Sequence, residues 1–280
     1  MTHRRPRLRR EDTRSMFIEA GRSILRQEGL AVGGEALKLK RVSDQVEADF
    51  GIWYSNASIT GRLWDTQSEY QADVLVTIAA DDSNSEVAAS LDRMTSFIAN
   101  MDTSSHAARP WSLRELCRKV SVVHLDTLRN STDWSFWIGI WAITAVGSAP
   151  ERRQRIDEAL RQSYLDVTDQ MEAIYSSLLG YRLRLGLTIR QFAIASAALT
   201  EGCVPRDRVD SEQMDGILRP TGRNSVEREW TLFGLELYAL AEQFFELDPD
   251  WPKLATTGQG QPRAARESTS RKGMFVRCPD

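Results

Sequence analysis

The chain has 280 residues, 41% hydrophobic and 27% charged, with a formal net charge of -3; this composition excludes fibrous, mucin-like and wholly disordered chains and suffices for a buried core without disulfides or structural metal. Three cysteines, Cys117, Cys203 and Cys278, are odd in number and far apart, which argues against a disulfide framework and for a reducing, cytoplasmic setting. No apolar run reaches the ~18 to 20 residues of a membrane span, and the basic start runs into Glu11 and Asp12 where a signal peptide needs an apolar stretch.

In chain order, the first ten residues hold Arg4, Arg5, Arg7, Arg9 and Arg10, a basic arm of the kind that meets a polyanion. Residues 1–62 carry 12 basic and 8 acidic side chains, whereas 63–255 carry 19 and 29, so a basic head sits on an acidic body. Thr13 to Glu28 aligns Phe17, Ala20, Gly21, Ile24 and Leu25 on one face and stops at Gly29, which predicts the first helix. Leu39, Val42, Val46 and Phe50 predict a short second helix broken by Gly51. Ser55 or Asn56 caps a short third helix reaching Trp64 or Asp65, and Thr66 opens a fourth toward Ala80.

Two short helices joined by a tight turn form a helix-turn-helix unit, whose second helix can enter the DNA major groove. With Ile59 and Leu63 facing inward, a rotation of about 100° per residue puts Ala57, Ser58, Gly61, Trp64 and Asp65 outward and Thr60 and Arg62 on the flanks. Small residues admit close approach to base edges, hydroxyls serve bases or phosphates, and Arg62 suits guanine or phosphate.

The polar stretch 81–84 is the candidate domain boundary, as a bend. Beyond it the periodicity predicts helices near 84–101, 112–130, 133–146, 150–179, 188–201 and 225–247, and no strand. Helix starts of the type Ser/Thr/Asn followed three residues later by Glu/Gln occur at Thr66/Glu69, Ser83/Glu86, Ser112/Glu115, Ser148/Glu151, Thr188/Gln191 and Asn224/Glu227. From residue 256 onward the composition is that of a disordered tail. The expected fold is all-α: a helix-turn-helix domain over 1–80, a helical body over 81–255 and a tail over 256–280.

Trp134, Phe136, Trp137 and Trp141 cluster on one predicted helix, with His124 and Tyr175 as polar partners on neighbouring helices; such residues line either a small-molecule pocket or an ordinary core. Two apolar stripes, Phe192, Ser196 and Ala197 in one helix and Trp230, Phe233, Leu237 and Phe244 in another, suit either a monomer core or a subunit interface. The histidines His3, His106 and His124 lack metal-ligand spacing, and neither a nucleophile elbow nor a phosphate loop is present. No enzyme, metal or cofactor is expected.

Residues about 12–80 resemble the DNA-binding domain of the TetR family of bacterial regulators, through Gly29, Leu39-Lys40-Arg41-Val42, Gly51-Ile52 and Gly61-Arg62-Leu63-Trp64 followed by Glu69 and Leu75. The resemblance implies that Arg41 opens the second helix and that Trp64 takes the phosphate-contacting place of the family's tyrosine. Together with the arm, the expected DNA contacts are Arg4, Arg5, Arg7, Arg41, Ser55, Asn56, Ser58, Thr60, Gly61, Arg62 and Trp64. It further implies a body that binds a small molecule, through His124, Trp134, Trp137, Trp141 and Tyr175, and that dimerises through the two stripes. The expectation is a homodimeric, ligand-controlled regulator of double-stranded operator DNA, most simply a repressor, with no membrane association. The alternative is an all-helical interaction protein that keeps the helix-turn-helix as scaffold.

Overall fold

A computed structural model describes residues 8–30, 37–147, 150–221 and 226–251. Arg4, Arg5, Arg7 and the expected tail lie outside the described residues.

The fold is all-α with two small antiparallel ribbons added. Helix α1 (Arg10–Glu28) opens with Glu11 and Asp12, favourable at the positive end of the helix dipole, and buries Phe17, Ala20, Gly21, Ile24 and Leu25. Helix α2 (Leu39–Phe50) buries Leu39, Val42 and Val46 and ends at Gly51. Helix α3 is a single turn, Asn56–Ile59, capped by the Ser55 hydroxyl, which accepts from the Ser58 N–H at 3.2 Å. Helix α4 runs for 32 residues, Gln67–Ile98. Its start is tied by two bonds, Glu69 N–H to the Thr66 hydroxyl at 3.1 Å and Asp65 N–H to the Glu69 carboxylate at 2.9 Å. Residues 81–84 lie inside this helix, so the chain does not bend at the expected boundary. Polar residues alone cost a helix little, and no glycine or proline interrupts 67–98.

The body continues with α5 (Arg109–Arg129), α6 (Thr132–Gly147) and α7 (Pro150–Glu172), which ends in a π-helical turn, Ala173–Leu178. Then follow β1 (Tyr181–Leu183), α8 (Ile189–Val209), the one-turn α9 (Ser211–Met214), β2 (Ile217–Thr221), β3 (Val226–Trp230), α10 (Leu232–Phe244) and β4 (Phe245–Leu247). Strands β1 and β4 pair with Tyr181 opposite Leu247, and β2 and β3 pair with Ile217 opposite Trp230. The helix expected over 225–247 is thus a strand followed by a helix. Its cap is not Asn224 but Thr231, whose hydroxyl accepts from the Gly234 N–H at 2.9 Å. Ser112 likewise starts nothing: α5 begins at Arg109, with Pro110 in its first turn, and the Ser112 hydroxyl donates to the Asp102 carbonyl at 2.7 Å.

The core forms two clusters. One gathers α1 to α4 and also takes Phe136, Trp137 and Ile140 of α6 and Ile156 and Leu160 of α7. The other fills the body between α4, α5, α7, α8 and α10. Helix α4 serves both, and at its front the approach to α1 is close. Gly21 has no side chain where a Cβ would run into the Tyr70 hydroxyl, and that hydroxyl donates to the Phe17 carbonyl at 2.9 Å.

Candidate nucleic-acid interface and apolar cavity

The segment after α2 is tied back on itself before it turns outward: the Ser43 hydroxyl donates to the Tyr54 carbonyl at 2.7 Å. Ser55 then caps α3, and the chain leaves the helix after Ile59. Gly61, at φ 78°, adopts a left-handed conformation that a side chain would disfavour, and its N–H donates to the Trp64 carbonyl at 2.8 Å. Ile59 and Leu63 are buried as expected; Asn56, Ala57, Gly61 and Arg62 are exposed, with Ser55, Ser58 and Thr60 part-buried beside them. Two hydroxyls are engaged locally, Ser58 donating to the Ser55 carbonyl at 2.7 Å and Thr60 to the Asn56 carbonyl at 2.8 Å. Ser58 also accepts from the Ser55 hydroxyl at 3.2 Å, which leaves it one lone pair for an outside donor where Thr60 keeps two.

Trp64 is the correction. Helical rotation places it outward, but it is 1% exposed. Its indole N–H donates to Asp73 Oδ2 at 2.7 Å, and its ring meets Phe17 and Tyr70 edge-on. The rotation that would carry it outward stops at Ile59, and the turn at Gly61 swings residue 64 underneath. A phosphate contact from Trp64 is therefore sterically closed. Asp73, 6% exposed, also accepts from Arg14 of α1 and Arg155 of α7, and Arg14 lies over the Trp64 ring. Burial alone would raise this carboxyl; the three donors outweigh it and hold it below its ordinary value.

Arg41 is exposed and ion-paired with Glu28. Over residues 38–66 Lys38, Lys40, Arg41 and Arg62 are matched by Asp44, Glu47, Asp49 and Asp65, so this surface carries no excess positive charge. Sequence reasoning passed over Trp53, which is 64% exposed two residues before the Ser55 cap. A large apolar side chain in a turn was the available signal.

In the body, α4, α5, α6, α7, α8 and α10 enclose a cavity of about 120 Å³. The structure brings His124, Trp134, Trp137 and Tyr175 together on its walls. Trp141, expected with them, is 46% exposed outside it. At ~1.5 Å per residue Trp141 stands about 10 Å along α6 from Trp134, beyond the end of the cavity. The expected interface stripes are also corrected. Phe192, Ser196 and Ala197 of α8 and Phe233 and Leu237 of α10 line the same cavity, so they face inward rather than toward a second chain. Phe244 packs 5.4 Å from Phe192, and Trp230, at the end of the β2–β3 ribbon, donates its N–H to the Thr221 hydroxyl at 2.8 Å. The wall residues missed in the sequence include Ser90 and Met94 of α4, hidden because a long helix serving two clusters shows no single apolar stripe.

Polar groups on the walls are few. Ser90 Oγ lies 3.0 Å from His124 Nδ1, and the imidazole stacks on Phe233 at 5.9 Å. Desolvation, aided by nearby Arg93, pushes His124 down to about 4, so it is neutral at pH 7. The Ser196 hydroxyl is buried with no hydrogen-bond partner among the described residues.

No protein-family model matches the chain, and no curated protein does. Solved structures similar to it include the following two. One is a TetR-family transcriptional regulator from Cytophaga hutchinsonii, 16% identical, covering 85% of this chain and 98% of that one with a TM-score of 0.43. The other is SmeT, the repressor of the Stenotrophomonas maltophilia multidrug efflux pump SmeDEF, 14% identical, covering 85% of this chain and 92% of that one with a TM-score of 0.39.

Proposed function

We propose that this chain is a DNA-binding transcriptional regulator, acting as a homodimeric repressor whose operator binding is controlled by a small molecule. The observation that carries the reading is the outward face of residues 55–62, small and polar with one exposed arginine, held on a buried helix-turn-helix core that α4 joins to an apolar cavity. Asn56 and Arg62 are the side chains for base edges; Ser55, Ser58, Thr60, Gly61 and the paired Arg41 serve the backbone or give it room. A dimer would present two such faces to successive major grooves about 34 Å apart.

The shared elements support ligand control. Helices α4, α6 and α7 line the cavity and also pack the helix-turn-helix core, so a ligand that fits one arrangement of these helices better than another shifts the spacing of the two recognition segments. A ligand indifferent to the arrangement shifts nothing. Repression needs only that bound protein occupy the promoter.

The test is a titration of the full-length protein by fluorescence anisotropy against DNA from upstream of its own gene and against a scrambled fragment, followed by selection from random DNA. A site preferred by ~10³-fold or more is expected, and Arg62→Ala should erase that preference while leaving the circular dichroism unchanged. Equal, salt-sensitive binding to every sequence, with no consensus after selection, would instead establish the scaffold reading.

A further inference from the structure

The cavity that the regulatory reading assigns to an effector also constrains the chemistry of that effector. Five rings stand on its walls, Trp134, Trp137, Tyr175, Phe192 and Phe233. At about 120 Å³ it is somewhat smaller than the ~150 Å³ apolar cavity known to admit benzene. A single ring with at most one or two one-atom substituents, about six to eight non-hydrogen atoms, is the size that fits.

The charge of the walls narrows the class further. Among the described lining residues there is no lysine or arginine, His124 is neutral, and Glu201, the one carboxylate, already has an interaction of its own. A buried ion of either sign would give up its hydration for walls that offer it no free counter-charge. The buried polar groups include the Ser90–His124 pair, the Ser196 hydroxyl, the Trp137 indole N–H and the Tyr175 hydroxyl, all uncharged. Ser196 is 7% exposed and unpartnered. A hydroxyl left unsatisfied in an apolar wall costs on the order of 1–3 kcal/mol, a cost that a ligand's polar atom removes. The Thr200 hydroxyl, one turn away, is already donated to the Ser196 carbonyl at 3.0 Å, so it does not relieve its neighbour.

We propose that the cavity binds an uncharged, single-ring aromatic molecule bearing one hydroxyl-sized polar group, the ring lying among the aromatic walls and the polar group meeting the Ser196 hydroxyl. The proposal rests on the ligand-controlled reading only for its regulatory consequence, since binding is measured without DNA.

The experiment compares toluene, p-cresol, p-toluate and 4-methylbenzylammonium on the full-length protein by calorimetry. p-Cresol is expected to bind about tenfold tighter than either ion and several-fold tighter than toluene, one hydrogen bond being worth ~1 kcal/mol. Ser196→Ala should bring p-cresol to within about twofold of toluene. Retained toluene binding in that variant reports an intact cavity. The proposal is overturned if either ion binds as tightly as p-cresol, if Ser196→Ala leaves the p-cresol to toluene ratio unchanged, or if none of the four binds. If p-cresol binds as expected yet leaves operator affinity unchanged, ligand control fails while the ligand class stands.

Discussion

Asp73 shows how one buried carboxylate can hold three elements together. It receives the Trp64 N–H from the end of the helix-turn-helix, Arg14 from α1 and Arg155 from α7. Asp73→Asn keeps the shape but removes the charge and turns an N–H₂ toward three donors. Breaking a fully buried pair costs about 3–5 kcal/mol. Here both guanidiniums are more than a third exposed, so solvent screening reduces the expected loss to about 2 kcal/mol, measurable by urea denaturation. A change below ~0.5 kcal/mol would mean the knot is not a stabilising one. His124 gives a second residue-scale expectation, in pH. Its folded pKa of about 4 lies below the ordinary 6.5, so between those values the unfolded chain takes up a proton that the folded chain refuses. Stability is therefore lost as pH falls from 6.5 toward 4. His124→Phe should flatten melting temperature against pH in that window, and an unchanged slope would assign the loss to other groups.

Among elements, the approach of α1 to α4 has an equally specific consequence. Gly21→Ala sets a methyl against the Tyr70 hydroxyl, and overpacking of this kind costs ~1–3 kcal/mol. Tyr70→Phe removes the obstacle along with the bond to the Phe17 carbonyl. The two changes together should cost less than the sum of their separate costs in denaturation; strict additivity would show that the helices do not meet there. The same elements show what was legible in the sequence. Periodicity found α1 and α2 because each buries one face, and the Thr66 and Thr188 caps were legible because the bonds are local, Thr188 and Gln191 exchanging both. The ribbons were not. Strand β3 reads Val-Glu-Arg-Glu-Trp, four of its residues are exposed, and its pairing with β2 is decided by a partner rather than by its own pattern. For the candidate site, the exposed Asn56, Ala57, Gly61 and Arg62 were legible, whereas Trp134, Trp137 and Tyr175 were legible only as an apolar cluster that suits a pocket or a core alike. The inward turn of Trp64 was not, because it depends on where a one-turn helix stops.

At the scale of the molecule, the two core clusters share helices, and Trp137 of α6 belongs to the N-terminal cluster while lining the cavity in the body. Under the proposed function, that continuity supplies a path by which a ligand could bias the face of residues 55–62, but it supplies no affinity for DNA. Affinity for a duplex comes mainly from phosphate neutralisation. Residues 38–66 are balanced in charge, and Arg41 is paired with Glu28. The excess positive charge of the head therefore comes from Arg4, Arg5, Arg7, Arg9 and Arg10, which lead into the first turn of α1. Under the proposed function this would divide the labour, the arm setting strength and the face of residues 55–62 setting sequence. Deleting residues 1–8 removes Arg4, Arg5 and Arg7 without touching a residue of either core cluster, so melting should be unaffected. DNA binding should weaken for every sequence, and the slope of log affinity against log salt should become shallower by ~0.9 for each phosphate no longer neutralised, with the preference for the selected site retained. An unchanged slope would show the arm to be idle; an abolished preference would show that it reads bases, as minor-groove arms do.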